Sequence, residues 1–239
     1  MATNQMHLTD EQFECVLSSV SELTMVPKAA LRFTWEEVLR LVKNNVPGPI
    51  VECGTWRGGC SFGSALIQKQ IFGEVRIPVY LLDSFQGLPQ AQERDGEKAV
   101  AYQKNTSSPV YFDNCRADLE DVMASRAKLG LTEQECKIVP GWFSETLNGL
   151  KEILLDSGIS MLRIDCDWYE PVRLVLEELE PIVDRDGVVV IDDYYVWDGC
   201  TRAVHDYLSR QDEPYRIRSI SNFTSAYFYK HTNWVKSVP

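Results

Sequence analysis

Apolar positions fall into short runs separated by longer amphipathic stretches. Four runs, rich in Val, Ile and Leu, each end on an acid: Pro49-Ile50-Val51-Glu52, Val79-Tyr80-Leu81-Leu82-Asp83, Met161-Leu162-Arg163-Ile164-Asp165 and Val188-Val189-Val190-Ile191-Asp192-Asp193. Runs of this kind predict strands buried on both faces of a parallel sheet. Another strand is predicted at 136–140. Helical spacing is found near 61–72, 118–129, briefly after Ser144, and at 169–179 and 200–209. The runs 215–219 and 226–230, separated by Ser221-Asn222, read as a hairpin. Strands alternating with helices and then a hairpin predict a Rossmann-like, doubly wound α/β fold. Its mostly parallel seven-stranded sheet would carry an antiparallel C-terminal hairpin.

Residues 1–48 read as a helical N-terminal extension. Thr9-Asp10-Glu11-Gln12 opens a helix with Phe13, Val16, Leu17 and Val20 on one face. Thr34 before Glu36-Glu37 predicts the cap of a second helix, with acids in its first turn and Val38, Leu39, Leu41 and Val42 behind. Pro47-Gly48-Pro49 ends it. The long polar stretch 86–109 is expected to cover an active site, a lid, rather than to be a disordered insertion. No linker divides the chain, so residues 1–239 are expected to form a single domain.

Composition narrows the function. At 239 residues, 44% hydrophobic and 25% charged, the chain is long enough for a full core and resembles ordinary globular proteins. No apolar stretch approaches the roughly 18 residues of a membrane span. The start lacks a basic segment followed by an apolar one, so a cytoplasmic protein without a cleaved signal is expected. A net charge of -11 argues against nucleic acid or an anionic membrane as partner. Seven irregularly spaced cysteines, with no C-x-x-C pair, read as reduced thiols.

In an open parallel sheet, ligands bind beyond the carboxyl ends of the strands, where these acids converge. Glu52-Cys53-Gly54-Thr55-Trp56-Arg57-Gly58-Gly59-Cys60-Ser61 forms a glycine turn between a strand and a helix. Its G-x-x-x-G-G spacing differs from the G-x-G-x-x-G of dinucleotide folds, and an ordinary strand-to-helix connection would also fit. Asp83 ends the second strand, where an acid can accept both hydroxyls of a ribose. Glu52 is placed to face a cationic group. A ribose, a positive charge and no phosphate cradle together suit S-adenosylmethionine.

Five segments in order carry a resemblance: Val51–Gly59, Asp83-Ser84-Phe85-Gln86-Gly87-Leu88-Pro89, Gly141-Trp142-Phe143-Ser144-Glu145-Thr146-Leu147, Leu162–Glu170 and Ile191-Asp192-Asp193-Tyr194. With Thr24-Met25-Val26 ahead of them, they resemble the macrocin O-methyltransferase family of antibiotic biosynthesis, which includes the mycinamicin and novobiocin sugar methyltransferases. The resemblance runs from about residue 24 to the end of the domain. It implies a class I, magnesium-dependent methyltransferase acting on deoxysugar hydroxyls of glycosylated metabolites, self-associating through N-terminal helices and lid into a homo-oligomer. Carried over by position, it implies magnesium ligands at Asp165, Asp192 and Asp193 and a general base at Asp167. Cofactor contacts would be Glu52, Cys53, Gly54, Thr55, Gly58, Gly59, Ser61, Asp83, Ser84 and Asp165, with Trp142 and Phe143 flanking the adenine. The chain departs from the family at Cys166, where glycine is common, and at Trp168, where relatives carry smaller or more flexible side chains. Trp168 therefore suggests a different acceptor pocket.

The chemistry is consistent with that implication. Two carboxylates 4 Å apart repel by about 4 kcal/mol at a moderate effective dielectric. A hard cation removes the repulsion, and oxygen ligands suit magnesium better than zinc. Asp192-Asp193 also reads as a solvated loop pair. In methyl transfer the cofactor supplies the carbon and the protein supplies alignment. A Lewis acid acidifies the acceptor hydroxyl, and a carboxylate collects its proton. His7, His205 and His231 compete as bases, with His205 read as a packing or surface residue. Tyr195 and Arg202 are candidate acceptor contacts. Tyr102, Tyr111 and Phe112 would stack on a substrate or anchor the lid. Other readings are a non-sugar hydroxyl as acceptor, a glycosyltransferase using Asp165-Cys166-Asp167 as a D-x-D, an NAD-dependent oxidoreductase, and a non-catalytic cofactor-binding relative.

Overall fold

The computed structural model describes residues 7–212, 214–220 and 224–230. The chain opens with helix α1 (Asp10–Val20), capped by Thr9, whose side chain accepts from the Gln12 amide while Gln12 reaches back to the Thr9 amide. Helix α2 spans Lys28–Lys43. It begins six residues before the expected Thr34 cap. Pro27 stands at its N-cap with φ near −58°, and its carbonyl takes the amides of Ala30 and Leu31. The Ala-Ala-Leu-Arg stretch behind it favours helix. Thr34 is buried mid-helix. Glu37 is no first-turn acid either: it is buried against Arg40 Nε at 2.7 Å and the Tyr229 hydroxyl at 2.9 Å.

Strand β1 (Ile50–Cys53) leads through the glycine turn to α3 (Gly59–Phe72) and then β2 (Val79–Asp83). The polar stretch that follows contains a helix the sequence reading missed, α4 (Gly96–Lys104), preceded by a 3-10 turn at Glu93–Asp95. A single left-handed turn, α5 (Phe112–Cys115), comes next, with all four φ angles between 49° and 60°. Then follow α6 (Leu119–Lys128), β3 (Cys136–Pro140), α7 (Phe143–Leu154), β4 (Ile159–Ile164), α8 (Tyr169–Leu179), β5 (Val183–Ile191), α9 (Asp198–Leu208), β6 (Arg218–Ser219) and β7 (Ala226–Tyr229). The helix expected to be short after Ser144 is a full twelve residues.

The seven strands form one sheet in the order β3-β2-β1-β4-β5-β7-β6. Strands β1 to β5 are parallel; β7 runs antiparallel to β5, and β6 antiparallel to β7. The predicted hairpin is thus present in its strands, although β6 is only two residues long; its Ser221-Asn222 turn lies outside the described residues. Alternate strand residues supply two cores. Met161, Val188 and Val190 join α1, α2 and α3 on one face; Leu162, Ile164, Val189 and Ile191 join α7, α8 and α9 on the other. Double-sided burial explains the uninterrupted apolar runs.

Strand order reverses between β1 and β4, so the glycine turn and the Asp165 turn open side by side at the same end. Helix α3 approaches α2 closely because Gly63 has no side chain. A Cβ there would lie 2.2 Å from the Trp35 ring. We expect Gly63→Ala to lower stability by about 1–3 kcal/mol through overpacking. A thermal melt should fall by several degrees; an unchanged midpoint would mean that Trp35 yields without strain.

Candidate active site

One buried cation organises the acids. Arg163 sits in β4 beside Glu52 of β1 in register. It is 1% exposed. Its Nε donates to Glu52 Oε1 at 2.8 Å, Nη2 to Asp165 Oδ2 at 2.9 Å, and Nη1 and Nη2 to Asp192 Oδ1 at 3.0 and 2.9 Å. Burial opposes the charge, yet Asp192, Asp165 and Glu52 outweigh it and push the guanidinium pKa further up. Ser61 Oγ donates to the other Glu52 oxygen, and Ser225 Oγ donates to Asp192 Oδ1 at 3.0 Å. Glu52 therefore meets its cation inside the protein. Burial raises its pKa despite Arg163 and Ser61. Sequence reasoning passed over Arg163, although a charge inside the apolar run Met161–Ile164 was the available signal.

Asp165, Asp167 and Asp193 come together beyond the strand ends. One carboxylate oxygen from each lies within 4.8 Å of the others, with Asp193 buried and the other two partly so. Asp192 stands behind this group with its Oδ1 committed to Arg163 and Ser225. The geometry thus gathers Asp167 with Asp165 and Asp193, where the resemblance assigns Asp192 to the ligand set. Burial, then the neighbouring negative charges, push Asp165 and Asp193 well above the usual carboxylate range. Asp193 Oδ2 is buried without a hydrogen-bond partner. Asp167 is raised to about 7, chiefly by burial; a hydrogen bond with the Trp197 side chain works against the rise. Its φ of 58° places it in the left-handed region. Cys166 Sγ donates to the Cys53 carbonyl at 3.0 Å and pins the turn from beneath.

These acids border a cavity of about 480 Å³. Glu52, Gly54, Thr55, Asp83, Ser84, Trp142, Phe143, Asp165, Asp167, Asp192 and Asp193 all contribute to its wall. Cys53, Gly58, Gly59 and Ser61 do not. They shape it from behind: the Cys53 carbonyl takes the Asp165 amide at 2.9 Å, and Gly58 packs on Phe62. A Cβ at Gly59 would lie 2.6 Å from the Leu23 carbonyl, so this glycine admits backbone of the N-terminal extension. Gly54, at φ 84°, brings the glycine turn against β4; a Cβ would stand 1.7 Å from the Asp165 carbonyl oxygen. Asp83 has a task that spacing does not reveal. Its carboxylate accepts the amides of Thr55, Trp56 and Phe85 at 2.8, 2.9 and 2.7 Å, holding the turn in shape.

The 86–109 stretch and its flank contribute Gly87, Leu88, Pro89, Tyr102, Val110, Phe112 and Cys115 to the wall. Tyr102 donates to the Tyr111 carbonyl at 2.7 Å, so it both lines the cavity and anchors the loop. Trp168, expected to reshape the acceptor pocket, is 1% exposed and stands outside the wall, where its Nε1 donates to the Pro89 carbonyl at 3.0 Å. His205 pairs with the Tyr194 hydroxyl at 2.8 Å, and neither it, Tyr195 nor Arg202 lines the cavity. His7 is exposed beside Glu36, and His231 lies outside the described residues. All seven cysteines are free. Among the described residues no helix is long and apolar enough to cross a membrane.

A seven-stranded, mostly parallel sheet with a glycine turn and acids at its switch point defines a Rossmann-like methyltransferase fold. Comparisons agree: a sequence profile described as Macrocin-O-methyltransferase (TylF) matches residues 18–230, and the chain belongs to that family of O-methyltransferases. It is 33% identical over 203 residues to the 8-demethyl-8-(2,3-dimethoxy-alpha-L-rhamnosyl)-tetracenomycin-C 4'-O-methyltransferase of Streptomyces olivaceus, covering 84% of this chain and 72% of that one. It is 32% identical over 176 residues to the demethyldecarbamoylnovobiocin O-methyltransferase of Streptomyces niveus, covering 72% of this chain and 62% of the relative. The structure of the O-methyltransferase NovP aligns with a TM-score of 0.70 and 28% identity, over 87% of this chain and 82% of NovP. The calicheamicin methyltransferase CalS11 shares the fold, with a TM-score of 0.62 and 21% identity over 94% of this chain and 95% of CalS11.

Two outcomes follow from these charges. Arg163→Met leaves two buried carboxylates, Glu52 and Asp192, and the partly buried Asp165 without their cation and should destabilise the protein by about 3–5 kcal/mol. Arg163→Lys should restore only part, since a single ammonium cannot replace the fork. Urea unfolding measures both, and an unchanged midpoint would remove Arg163 from this role. The second outcome concerns pH. Asp167 has a folded pKa of about 7, above its ordinary 3.8. Between those values the folded state holds more protons than the unfolded one, so this group's contribution to stability falls as pH rises through 7. Divalent cations prefer ionised to protonated carboxylates, so, if this cluster takes one, magnesium chloride should raise the melting temperature more at pH 8 than at pH 5.5. An equal shift at both would separate the cation from these acids.

Proposed function

We propose that this chain transfers a methyl group from S-adenosylmethionine to a hydroxyl of a deoxysugar on a glycosylated natural product, with a magnesium ion at the aspartate cluster. The cavity wall carries the reading. Seven carboxylates line it (Glu52, Asp83, Asp165, Asp167, Glu170, Asp192 and Asp193) and, among the described residues, no Lys, Arg or His does. A sulfonium and a divalent ion are both cations and suit such a wall. A pyrophosphate would be repelled, which weighs against a nucleotide sugar or a nicotinamide dinucleotide. The Streptomyces olivaceus relative is named for methylation of a rhamnosyl tetracenomycin, which supports a sugar acceptor in antibiotic biosynthesis. Self-association through the N-terminal helices and lid, and a cytoplasmic setting, belong to the same reading.

The donor set fits both groups. Glu52, Asp165 and Asp192 share the one charge of Arg163, while Asp167 and Asp193 have no cation of their own in the described contacts. Oxygen-only ligands and the partnerless Asp193 Oδ2 suit magnesium. Asp165, Asp192 and Asp193 would hold it. Bound there, it would supply a Lewis acid for the acceptor hydroxyl. Gly54, Thr55, Asp83 and Ser84 would hold the donor, with Asp165 at the inner end and Trp142 and Phe143 beside the adenine. Cys53, Gly58, Gly59 and Ser61 act through the shape of the turn. Asp167 takes the hydroxyl proton. A carboxyl pKa of about 7 makes it a stronger base than an exposed aspartate. In a second reading Asp167 replaces Asp192 as the third ligand, which the grouping of Asp165, Asp167 and Asp193 favours.

The test is a mass-spectrometric screen of glycosides for a 14-dalton gain (CH2), paired with calorimetry. The donor should bind, and UDP-sugar and NAD should not; tight UDP-sugar binding without S-adenosylmethionine binding would overturn the proposal. Asp167→Asn should lose turnover by about 100- to 10,000-fold while magnesium affinity holds. Loss of magnesium affinity in that variant would favour the second reading instead.

A further inference from the structure

The 86–109 stretch is fastened to the acid turns by one buried carboxylate. Asp95 closes the 3-10 turn before α4 and is 3% exposed. Its Oδ2 accepts the Gln92 amide at 2.7 Å, within its own segment. Its Oδ1 accepts the Tyr169 amide at 2.7 Å, across the molecule. Tyr169 is the first residue of α8, and its N-cap, Trp168, makes no side-chain cap bond. Asp95 therefore supplies from a distant segment the cap that the helix lacks locally. Helix α9 has the same deficiency at its N-cap, Trp197. Its Gly199 leaves room for the same carboxylate: a Cβ there would lie 2.3 Å from Asp95 Oδ1 and 2.9 Å from the Tyr169 amide nitrogen. One buried anion thus lies between the positive ends of two helices.

Both helices grow directly from the site. The turn ahead of α8 presents Asp165 and Asp167; the loop ahead of α9 presents Asp192 and Asp193, and Trp197 at the start of α9 lines the same cavity as Asp167. Three further contacts join the same parts: Trp168 Nε1 to the Pro89 carbonyl at 3.0 Å, Lys98 Nζ to the Val196 carbonyl at 2.9 Å, and edge-on packing of Tyr102 on Trp197 at 5.6 Å. Tyr102 also packs edge-on against Trp168, at 6.3 Å. Asp95 differs from these contacts because both of its carboxylate oxygens are committed to backbone amides inside the protein, one of them at the start of α8.

We propose that Asp95 is a positioning residue, which docks the lid onto the starts of α8 and α9 and thereby aims Asp167. Closing the lid and orienting the proton acceptor are then one event. The inference rests on the reading of Asp167 as that acceptor. A lid that opens breaks the Asp95–Tyr169 bond, releases the Cys166–Trp168 turn and leaves Asp167 free to leave its left-handed conformation.

The experiment follows the full-length protein by hydrogen–deuterium exchange with mass spectrometry and, alongside, by steady-state kinetics on a glycoside from the methylation screen. Asp95→Ala should speed exchange together in 86–105, 165–171 and 195–201 while 50–60 stays protected. It should lower kcat on the order of a hundredfold, the effect of a small misplacement of a reacting group, and leave the Kd for S-adenosylmethionine within about twofold. Asp95→Asn, which keeps an acceptor for the Tyr169 amide, should recover most of the loss. Gly199→Ala, which pushes on Asp95 from the other side, should reproduce the alanine phenotype and serves if Asp95→Ala fails to fold. Unchanged exchange at 165–171, or a normal kcat despite faster exchange, overturns the proposal. Asp167→Asn in the same assay separates the two ideas. If it keeps full kcat, the acceptor reading falls; if it loses kcat and Asp95→Ala does not, only the positioning role falls.

Discussion

Everything at the functional end of this protein depends on holding several carboxylates close together in a poorly hydrated place. Arg163 is the constraint that allows it. A lone buried guanidinium would be expensive, as would any one of Glu52, Asp165 or Asp192, but forked donation to all three offsets much of the desolvation. The parallel register of β1 and β4 makes this geometry available, because Glu52 and Arg163 are direct neighbours across the strands. Asp167 and Asp193, which have no cation of their own in the described contacts, gather with Asp165 beyond the strand ends.

The cavity follows from this arrangement. Its floor is acidic because four strands carry acids at or just beyond their carboxyl ends, and it stays open because Gly54 lets the first turn lie on the Asp165 carbonyl without filling the space between. The outer wall is aromatic and comes from distant parts of the chain: Tyr102 and Phe112 from the polar stretch and its flank, Trp142 from the start of α7, Trp197 from the start of α9. An acidic floor under an aromatic wall is the physical basis of the proposal that a sulfonium donor, a metal ion and a sugar hydroxyl share this space. Family membership is consistent with that basis and independent of it.

Much of this was legible before any coordinates. The strand ends at Asp83, Asp165 and Asp192, the glycine turn, the doubly wound order and the terminal pairing are all local patterns of period and punctuation, and they stand where the periodicity put them. Errors arose where tertiary contact overrode a local signal. Thr34-Trp35-Glu36-Glu37 looks like a helix start, yet burial of Trp35 and the Glu37–Arg40 pair place it mid-helix. Trp168 looks like a pocket residue, yet it reaches backwards to grip Pro89.

The chain's linear pattern by itself determined the sheet, the end of the sheet that carries chemistry and the acids available there, because strand period and chain punctuation act over a few residues. Only the tertiary structure decided how those acids divide. Asp192 turns to Arg163 and Ser225, Asp167 joins Asp165 and Asp193, Asp83 braces a turn, and Asp95 caps a helix more than seventy residues away. A carboxylate's role is set by which donors and charges surround it in a low-dielectric interior, and those neighbours come from strands and helices far apart in the sequence.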